Sequence, residues 1–437
     1  MKLRSVLAIV ALFLSLVISA DNRSTECAGC WMPTSNSPTV EESLGVNVHF
    51  IEPKPGEVKM IAEAGFRWVR TDFIWEATER ERGRYDFSAY DQLLKQLDEF
   101  HLRALFILDY GNHLYTNGKS VRTPEARAAF ARWTVAAAKH FTGRAVIWEL
   151  FNEPNNQMFW PPQPNAEEYN ALADQVGRAF REAVPNETLI GPAVDARDFS
   201  YLQSCINGRA HEWWAALSVH PYRQTNPETV AADYARLREM IDKSGPGGNQ
   251  LKLISSEWGY SSAWPKMNEA QQAIMLTRQF LTNLANGVPV SIWYDWNDDG
   301  TDPGEDEHHF GLVHHDYRGR APFPYEPKPA FVAAKTLTTV LKGFRFEKRL
   351  NVGGPQDYVL VFTKPSNIDE RRSDGRLEHR IVAWTSSSTS HQITIPNLSG
   401  QFSITTMSGS NGGRPGAAKD ALTIEVSASP IYLLAIN

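Results

Sequence analysis

From Leu44 onward, short apolar runs alternate with stretches whose apolar residues recur at helical spacing. The run 44–50 (LGVNVHF) predicts a first strand, and a short helix over 57–64 stops at Gly65, a residue free to take the left-handed turn that ends helices. A second strand over 66–73 leads to a helix with Tyr90, Leu93, Leu94 and Leu97 on one face. The third strand is 104–108. Pro124 then opens a long helix to about Phe141, because proline at a first turn lacks only a donor that has no helical partner. After a fourth strand over 145–151, Asn165 and Glu168 form a capping-box pattern ahead of Tyr169, Leu172, Val176 and Phe180. Strand 189–194 precedes a short helix at 199–206, and strand 216–220 precedes a helix carrying Val230, Tyr234, Leu237 and Ile241. Strand 251–255 precedes a helix from Glu269 to a stop at Gly287, and strand 288–294 precedes a last helix over 328–341.

Eight such repeats over ~300 residues predict an α/β fold, a (β/α)8 TIM barrel spanning residues 44–343. Its strands are apolar on both faces, as buried parallel strands must be. A doubly wound open sheet shares the alternation, but no glycine-rich phosphate loop supports it. After Gly343 the runs 357–363, 380–384, 391–395, 402–405, 422–426 and 431–435 are separated by Gly, Ser, Asn and Pro, which predicts a small β-sandwich over 344–437. At the other end, Lys2 and Arg4 precede an apolar run over 6–18 and a small residue at Ala20. That is the pattern of a signal peptide over 1–20, too short to span a membrane, followed by a polar leader over 21–43. No later stretch is long and apolar enough for a span, so the expectation is a protein secreted to the periplasm or the exterior. Disulfides persist there. Cys27 pairs either with Cys30, or one of the two pairs with Cys205.

A hydrophobic share of 42% and a charged share of 22% are ordinary for a chain with a real core. The net charge of -6 offers no attraction for nucleic acid. Thirteen tryptophans are many for this length, and flat aromatic rings stack on the apolar faces of sugars. Trp75, Trp160, Trp258, Trp293 and Trp296 fall at or near strand ends, with Trp160 and Trp296 the expected sugar platforms.

In barrels of this kind the reactive groups sit at the C-terminal ends of the strands. The fourth strand runs into Asn152-Glu153-Pro154-Asn155 and the seventh into Ser256-Glu257-Trp258-Gly259. Both place a carboxylate in the barrel mouth, where an uncompensated charge is costly. Cleaving a glycosidic bond with retention needs two carboxyl groups ~5–5.5 Å apart, one to protonate the leaving oxygen and one to attack the anomeric carbon.

These two motifs, with His220-Pro221-Tyr222 after the sixth strand and Lys328-Pro329-Ala330 opening the last helix, resemble clan A glycoside hydrolases over about residues 44–343. Continuation to Phe159-Trp160 is most similar to family 39, in particular its bacterial exopolysaccharide-cleaving members. The resemblance implies that Glu153 is the acid/base and Glu257 the nucleophile of a retaining β-glycosidase, with endo action preferred. It implies that Asn152 bonds the sugar 2-hydroxyl, that Tyr222 donates to Glu257, and that Arg70 supplies positive charge to the same carboxylate. Glu153 would need apolar neighbours, for which Phe151, Phe159 and Trp160 are candidates, and a nearby anion. His220, His49, Asn47, Trp258 and Trp293 complete the expected carbohydrate-binding set. A family 5-like endoglucanase or mannanase of the same clan is the nearer alternative, and a non-catalytic carbohydrate-binding barrel the more distant one.

The loop Asp295-Trp296-Asn297-Asp298-Asp299-Gly300, with Asp306, partly fits a calcium-loop spacing but lacks the flanking helices and the final Glu. These acids are expected to line the cleft, cap loops or meet substrate hydroxyls. His308-His309 and His314-His315 each offer one ligand to a given side. No metal and no cofactor is expected, since the carboxylate pair needs none.

Overall fold

The computed structural model describes residues 38–244, 251–365, 377–398, 400–418 and 420–436. Cys27, Cys30, the signal segment and residues 21–37 of the polar leader lie outside them; Cys205 is buried. Strands β1 (Leu44–Asn47), β2 (Trp68–Ile74), β3 (Arg103–Asp109), β4 (Ile147–Leu150), β5 (Thr188–Asp195), β6 (Ala216–His220), β7 (Lys252–Trp258) and β8 (Ser291–Trp293) form a closed parallel barrel. Closure is made by β8 against β1, with Leu44 opposite Ser291 and Val46 opposite Trp293.

A short α1 (Val40–Ser43) precedes the barrel, and α3 (Trp75–Thr78) extends the turn after β2. The outer ring is α2 (Glu57–Glu63), α4 (Ser88–Glu99), α5 (Pro124–His140), α6 (Ala166–Ala183), α7 (Phe199–Asn207), α8 (Val230–Asp242), α9 (Glu269–Ala285) and α10 (Pro329–Val340). The helical faces follow the apolar spacing. α4 buries Tyr90, Leu93, Leu94 and Leu97, and α8 buries Val230, Tyr234, Leu237 and Ile241. The Asn165 side chain caps α6 by accepting from the Glu167 and Glu168 amides, so its start is set by the capping residue the sequence shows.

Inside the barrel, Trp68, Leu105, Ile147, Ile190, Ala216, Ile254, Val290 and Ile292 form a separate apolar cluster. Strand side chains alternate with a period of two. Two residues further along β2, β4 and β6, the inward positions become Arg70, Glu149 and Ser218, and then His220 on β6. The floor of the barrel is therefore dry and its mouth is polar.

The chain after α10 forms two antiparallel sheets, making the β-sandwich. Five strands lie in the order β13 (Gln401–Thr406), β16 (Ile431–Ile436), β11 (Leu377–Thr385), β10 (Asp357–Pro365) and β9 (Arg345–Arg349). Three lie in the order β12 (His391–Pro396), β15 (Ala421–Val426) and β14 (Gly416–Ala418). The inner strands of the larger sheet, β10, β11 and β16, bury residues on both faces. Val359, Val361, Ile381, Ala383 and Leu433 meet the smaller sheet, while Leu360, Phe362, Val382, Trp384 and Tyr432 join the core of the barrel. Trp384 reaches furthest. Its indole N–H donates to Glu228 Oε1 at 2.6 Å, and Arg278 of α9 holds the same carboxylate with two bonds of 2.7 Å.

Strands β9 and β14 go beyond the sequence expectation. β9 reads Arg-Phe-Glu-Lys-Arg and is mostly exposed, an edge strand with no apolar signature. Among the described residues no helix is long and apolar enough to cross a membrane.

Candidate active site

The chain leaves β4 at Leu150 and turns sharply. Phe151 and Glu153 both take left-handed backbone conformations, φ 69° and 42°. Non-glycine residues there cost about 1–3 kcal/mol each, a cost met only where the surroundings hold them. The Glu153 amide is tied across to the Ala193 carbonyl at the end of β5, at 2.9 Å. Glu257 instead lies within β7, which runs past the expected end at Ser255. The pairing of β7 with β8 shifts register between Ser255 and Trp258, and the irregular stretch carries the glutamate.

Arg70 organises the floor of the mouth. It is buried, and every guanidinium N–H has a direction to go. Nε donates to Glu149 at 2.8 Å, Nη1 to Asn47 at 2.9 Å and to Glu257 at 2.6 Å, and Nη2 to Asn152 at 2.8 Å. Nη2 also faces His220 Nε2 at 3.4 Å. A guanidinium only donates, so His220 Nε2 must be the acceptor, and the network assigns the ring proton to Nδ1. That N–H donates to Glu153 Oε1 at 2.9 Å and lies 3.8 Å from Glu257 Oε1.

The two glutamates thus converge. Ligating atoms of Glu153, His220 and Glu257 all lie within 4.8 Å of one another. Their surroundings differ. Glu257 accepts from Arg70 on one oxygen and from the Tyr222 hydroxyl on the other, at 2.9 Å. Burial alone would raise its carboxyl; the positive side of His220, the Arg70 charge and the Tyr222 hydrogen bond outweigh burial and hold it below the usual carboxylate value. Glu153 is the more open of the two and is held by an imidazole and by the Asn156 amide at 3.2 Å. A buried ionised carboxylate beside a more open carboxyl can do the work of nucleophile and proton carrier.

The structure brings Asn47, Arg70, Asn152, His220 and Tyr222 into one network with the two acids. It also sets some expected binding residues out of a ligand's reach. His220 is fully buried beneath the acids, where it orients Glu153 instead of facing a sugar. Trp75, Trp160, Trp258, Trp293 and Trp296 are all fully buried, which corrects the expectation of sugar platforms. The Trp160 indole donates to Glu168, that of Trp293 to the Phe310 carbonyl and that of Trp296 to Glu57. The rings that remain partly open near the site are Tyr110, Phe159, Tyr222 and Tyr294. Tyr110 and Phe159 stack with centroids 5.7 Å apart, and the Lys119 ammonium stands 5.0 Å from each ring.

Two acids escaped the sequence reading although both lie at inward strand positions. Glu149 is fully buried, with Arg70 as its counter-ion. Asp109, at the end of β3, is fully buried, and burial followed by the charge of Asp72 raises its carboxyl well above the usual range. The available signal was a charged residue inside an apolar strand run for Glu149 and one directly at the end of such a run for Asp109.

The loop after β8 divides its acids. Asp298 accepts from the Gly311 amide and from buried Lys328 Nζ, both at 2.9 Å, and so anchors the loop to the start of α10. His49 Nε2 lies 3.3 Å from Asp295 and 4.0 Å from Asp299. Burial chiefly raises the Asp295 carboxyl, to about 7, against the opposing pull of His49.

The model of the cellulase family (glycosyl hydrolase family 5) matches residues 35–300. Among solved structures, the chain is similar to a family 39 glycoside hydrolase from Bacteroides cellulosilyticus WH2. That match has 22% identity and a TM-score of 0.75, covering 91% of this chain and 82% of the other. It is similar to the family 39 enzyme of Xanthomonas axonopodis pv. citri at 15% identity and a TM-score of 0.63, covering 92% and 95%. A monomeric beta-xylosidase from Caulobacter crescentus CB15 matches at 16% identity and a TM-score of 0.64, covering 92% and 98%. No curated protein sequence matches.

Proposed function

The chain belongs to the cellulase family, glycosyl hydrolase family 5, and so to the clan A glycoside hydrolases, and from that premise we propose that it is a retaining enzyme acting on a β-linked poly- or oligosaccharide. The observation that carries this reading is the separation of the two acids. Carboxyl oxygens within 4.8 Å suit the short spacing of double displacement and leave no room for the water that an inverting pair, at ~6.5–9.5 Å, holds between them.

In the first step Glu257 attacks the anomeric carbon as Glu153 gives its proton to the departing oxygen. The sugar–oxygen bond breaks and an ester to Glu257 forms. In the second step Glu153 takes a proton from water, the resulting hydroxide attacks the same carbon, and the ester bond returns its electrons to Glu257. Arg70 and Tyr222 keep Glu257 ionised between turnovers, and His220 aims Glu153. Asn152, its oxygen held by Arg70, presents its amide nitrogen to the sugar 2-hydroxyl. Export and a modest preference for internal cleavage complete the reading. The family 5 match favours a glucan or mannan, and the family 39 likeness of the fold keeps exopolysaccharide and xylan on the panel.

Proton NMR of the first product formed should show the β-anomer. Glu257→Gln should abolish glycosylation, whereas Glu153→Gln should keep measurable turnover on substrates with good leaving groups. The opposite ranking would reverse the two roles. Binding without release of reducing sugar from glucan, mannan, xylan or exopolysaccharide would make the protein a non-catalytic carbohydrate binder.

A further inference from the structure

Double displacement gives Glu149 no step of its own, yet the chain buries its charge completely at the floor of the mouth. An apolar side chain of similar size would fill that space without the cost of burying an ion. Glu149 Oε2 accepts from Arg70 Nε at 2.8 Å, and Oε1 has no hydrogen-bonding partner among the described residues. Glu257 Oε2 takes Arg70 Nη1 at 2.6 Å, so two carboxylates share one guanidinium. Among the described residues they are the only two within ion-pairing distance of it. Asp72 contributes negative charge at longer range, and burial raises the Asp109 carboxyl well above the usual range, which makes it a poor counter-ion. The other charged or titratable groups around Glu257 are Glu153 after β4, His220 and Tyr222 at the end of β6, and Tyr294 and Glu307 on the β8 side.

The charge on Glu257 is not constant through the reaction. When its oxygen bonds the anomeric carbon and the departing oxygen takes the Glu153 proton, the nucleophile becomes a neutral ester. Arg70 keeps its proton throughout and stays buried. Paired with Glu257 alone, it would become an uncompensated buried cation at that moment, a costly state. We infer that Glu149 is the permanent counter-ion of Arg70 and so a positioning residue for the nucleophile: it holds Arg70 in place and compensated while Glu257 gives up its charge to the sugar and regains it. Glu149 acts through Arg70 and touches no reacting atom. Arg70, Glu149 and Glu257 together carry one net negative charge before attack and none in the ester. Without the Glu149 charge they would begin neutral and end as a stranded cation, so the glycosyl-enzyme would be harder to reach and easier to lose.

The inference rests on the glycosidase reading, and the test separates the two. Glu149→Gln keeps the shape of the side chain and removes its charge. The pH profile of kcat/KM is measured for the full chain on whichever of glucan, mannan, xylan and exopolysaccharide is cleaved. The matching 2-deoxy-2-fluoro-β-glycosyl fluoride labels Glu257, and mass spectrometry follows formation and loss of the ester. In Glu149→Gln the whole Arg70 charge falls to Glu257. The acid limb, which reports Glu257, should move to lower pH by about one unit. The label should form several-fold more slowly and, once formed, leave several-fold faster. A purely structural role predicts the reverse for the limb, because a loosened Arg70 would free Glu257 from its cation and raise it. Thermal unfolding checks that the variant folds. If it does not, Glu149→Asp, which keeps the charge but withdraws it from Nε, should shift limb and label in the same directions by less. An acid limb that stays or rises, or an ester released no faster than in the wild type, overturns the inference and leaves the glycosidase standing. Wild-type protein that neither cleaves a member of the panel nor accepts the label removes the glycosidase reading and the inference with it.

Discussion

Arg70 shows how much one side chain can organise. Glu149 on β4 has no other ion-pair partner among the described residues, so the guanidinium both neutralises a buried charge and keeps Glu257 ionised. Lysine has a point charge on a flexible stem and cannot reach Glu149, Asn47, Glu257 and Asn152 together. Arg70→Lys should therefore lower the unfolding free energy by about 3–5 kcal/mol in a denaturant titration, the usual cost of breaking a buried pair. Where the variant still folds, the acid limb of its kcat/KM profile should move to higher pH, because a shorter ammonium shared with Glu149 no longer gives Glu257 the close charge and hydrogen bond that hold its carboxyl low. His49 makes the opposite kind of contribution. Burial alone would lower its imidazole, but Asp295, with Asp299 and Asp72, outweighs burial and raises it from 6.5 to about 9. A raised folded value means that the folded state binds the proton more tightly. Its stabilisation is complete below 6.5 and is lost as pH rises through about 9. His49→Gln should flatten the stability profile across that window, measured by chemical unfolding on either side of it. The effect should be modest, since the side chain is substantially exposed.

At the scale of elements, strand spacing in the barrel depends on what the strands lack as much as on what they carry. A Cβ at Gly45 of β1 would come within 2.5 Å of Trp68 Cβ and 2.6 Å of Ile292 Cδ1. Gly45→Ala should therefore destabilise the protein by about 1–3 kcal/mol or more, through overpacking of the dry floor. The measurement is the unfolding midpoint, and an unchanged midpoint would mean that β1 can move away from β2. Elements were legible where a local pattern is strong. α8 was readable from Val230, Tyr234, Leu237 and Ile241, and α6 from its Asn165 cap. β1 ends at Asn47, earlier than its apolar run; Val48 still donates to the Arg70 carbonyl of β2, and the chain bends away at His49. β9 was invisible because an exposed edge strand needs backbone pairing and no apolar face.

For the whole molecule, the β-sandwich packs as an extension of the barrel core. Leu360, Phe362, Val382, Trp384 and Tyr432 come from alternate positions of β10, β11 and β16 and bury themselves against the barrel. The buried Glu228–Arg278 pair is completed by the Trp384 indole. We therefore propose that residues 344–437 brace the catalytic barrel. A chain ending at Gly343 would expose an apolar patch over α9 and α10, and should be recovered as aggregate or with a clearly lowered melting temperature. A soluble truncated barrel of unchanged melting temperature would contradict the bracing role and favour an independent module.

The order of eight strand–helix repeats, the apolar face of each helix and the two acids at the ends of β4 and β7 were all present in the sequence. They rest on periods of two and 3.6 residues and on capping signals that act over a few positions. The partnerships among distant side chains were decided only by the tertiary structure. Arg70 gathers residues from β1, β4, β6 and β7, Asp295 meets His49 because β8 closes on β1, and the expected tryptophan platforms lie inside the protein. Closure of the barrel sets these contacts, and their chain separations, from 23 residues for Asn47–Arg70 to 246 for His49–Asp295, are beyond the reach of any local pattern.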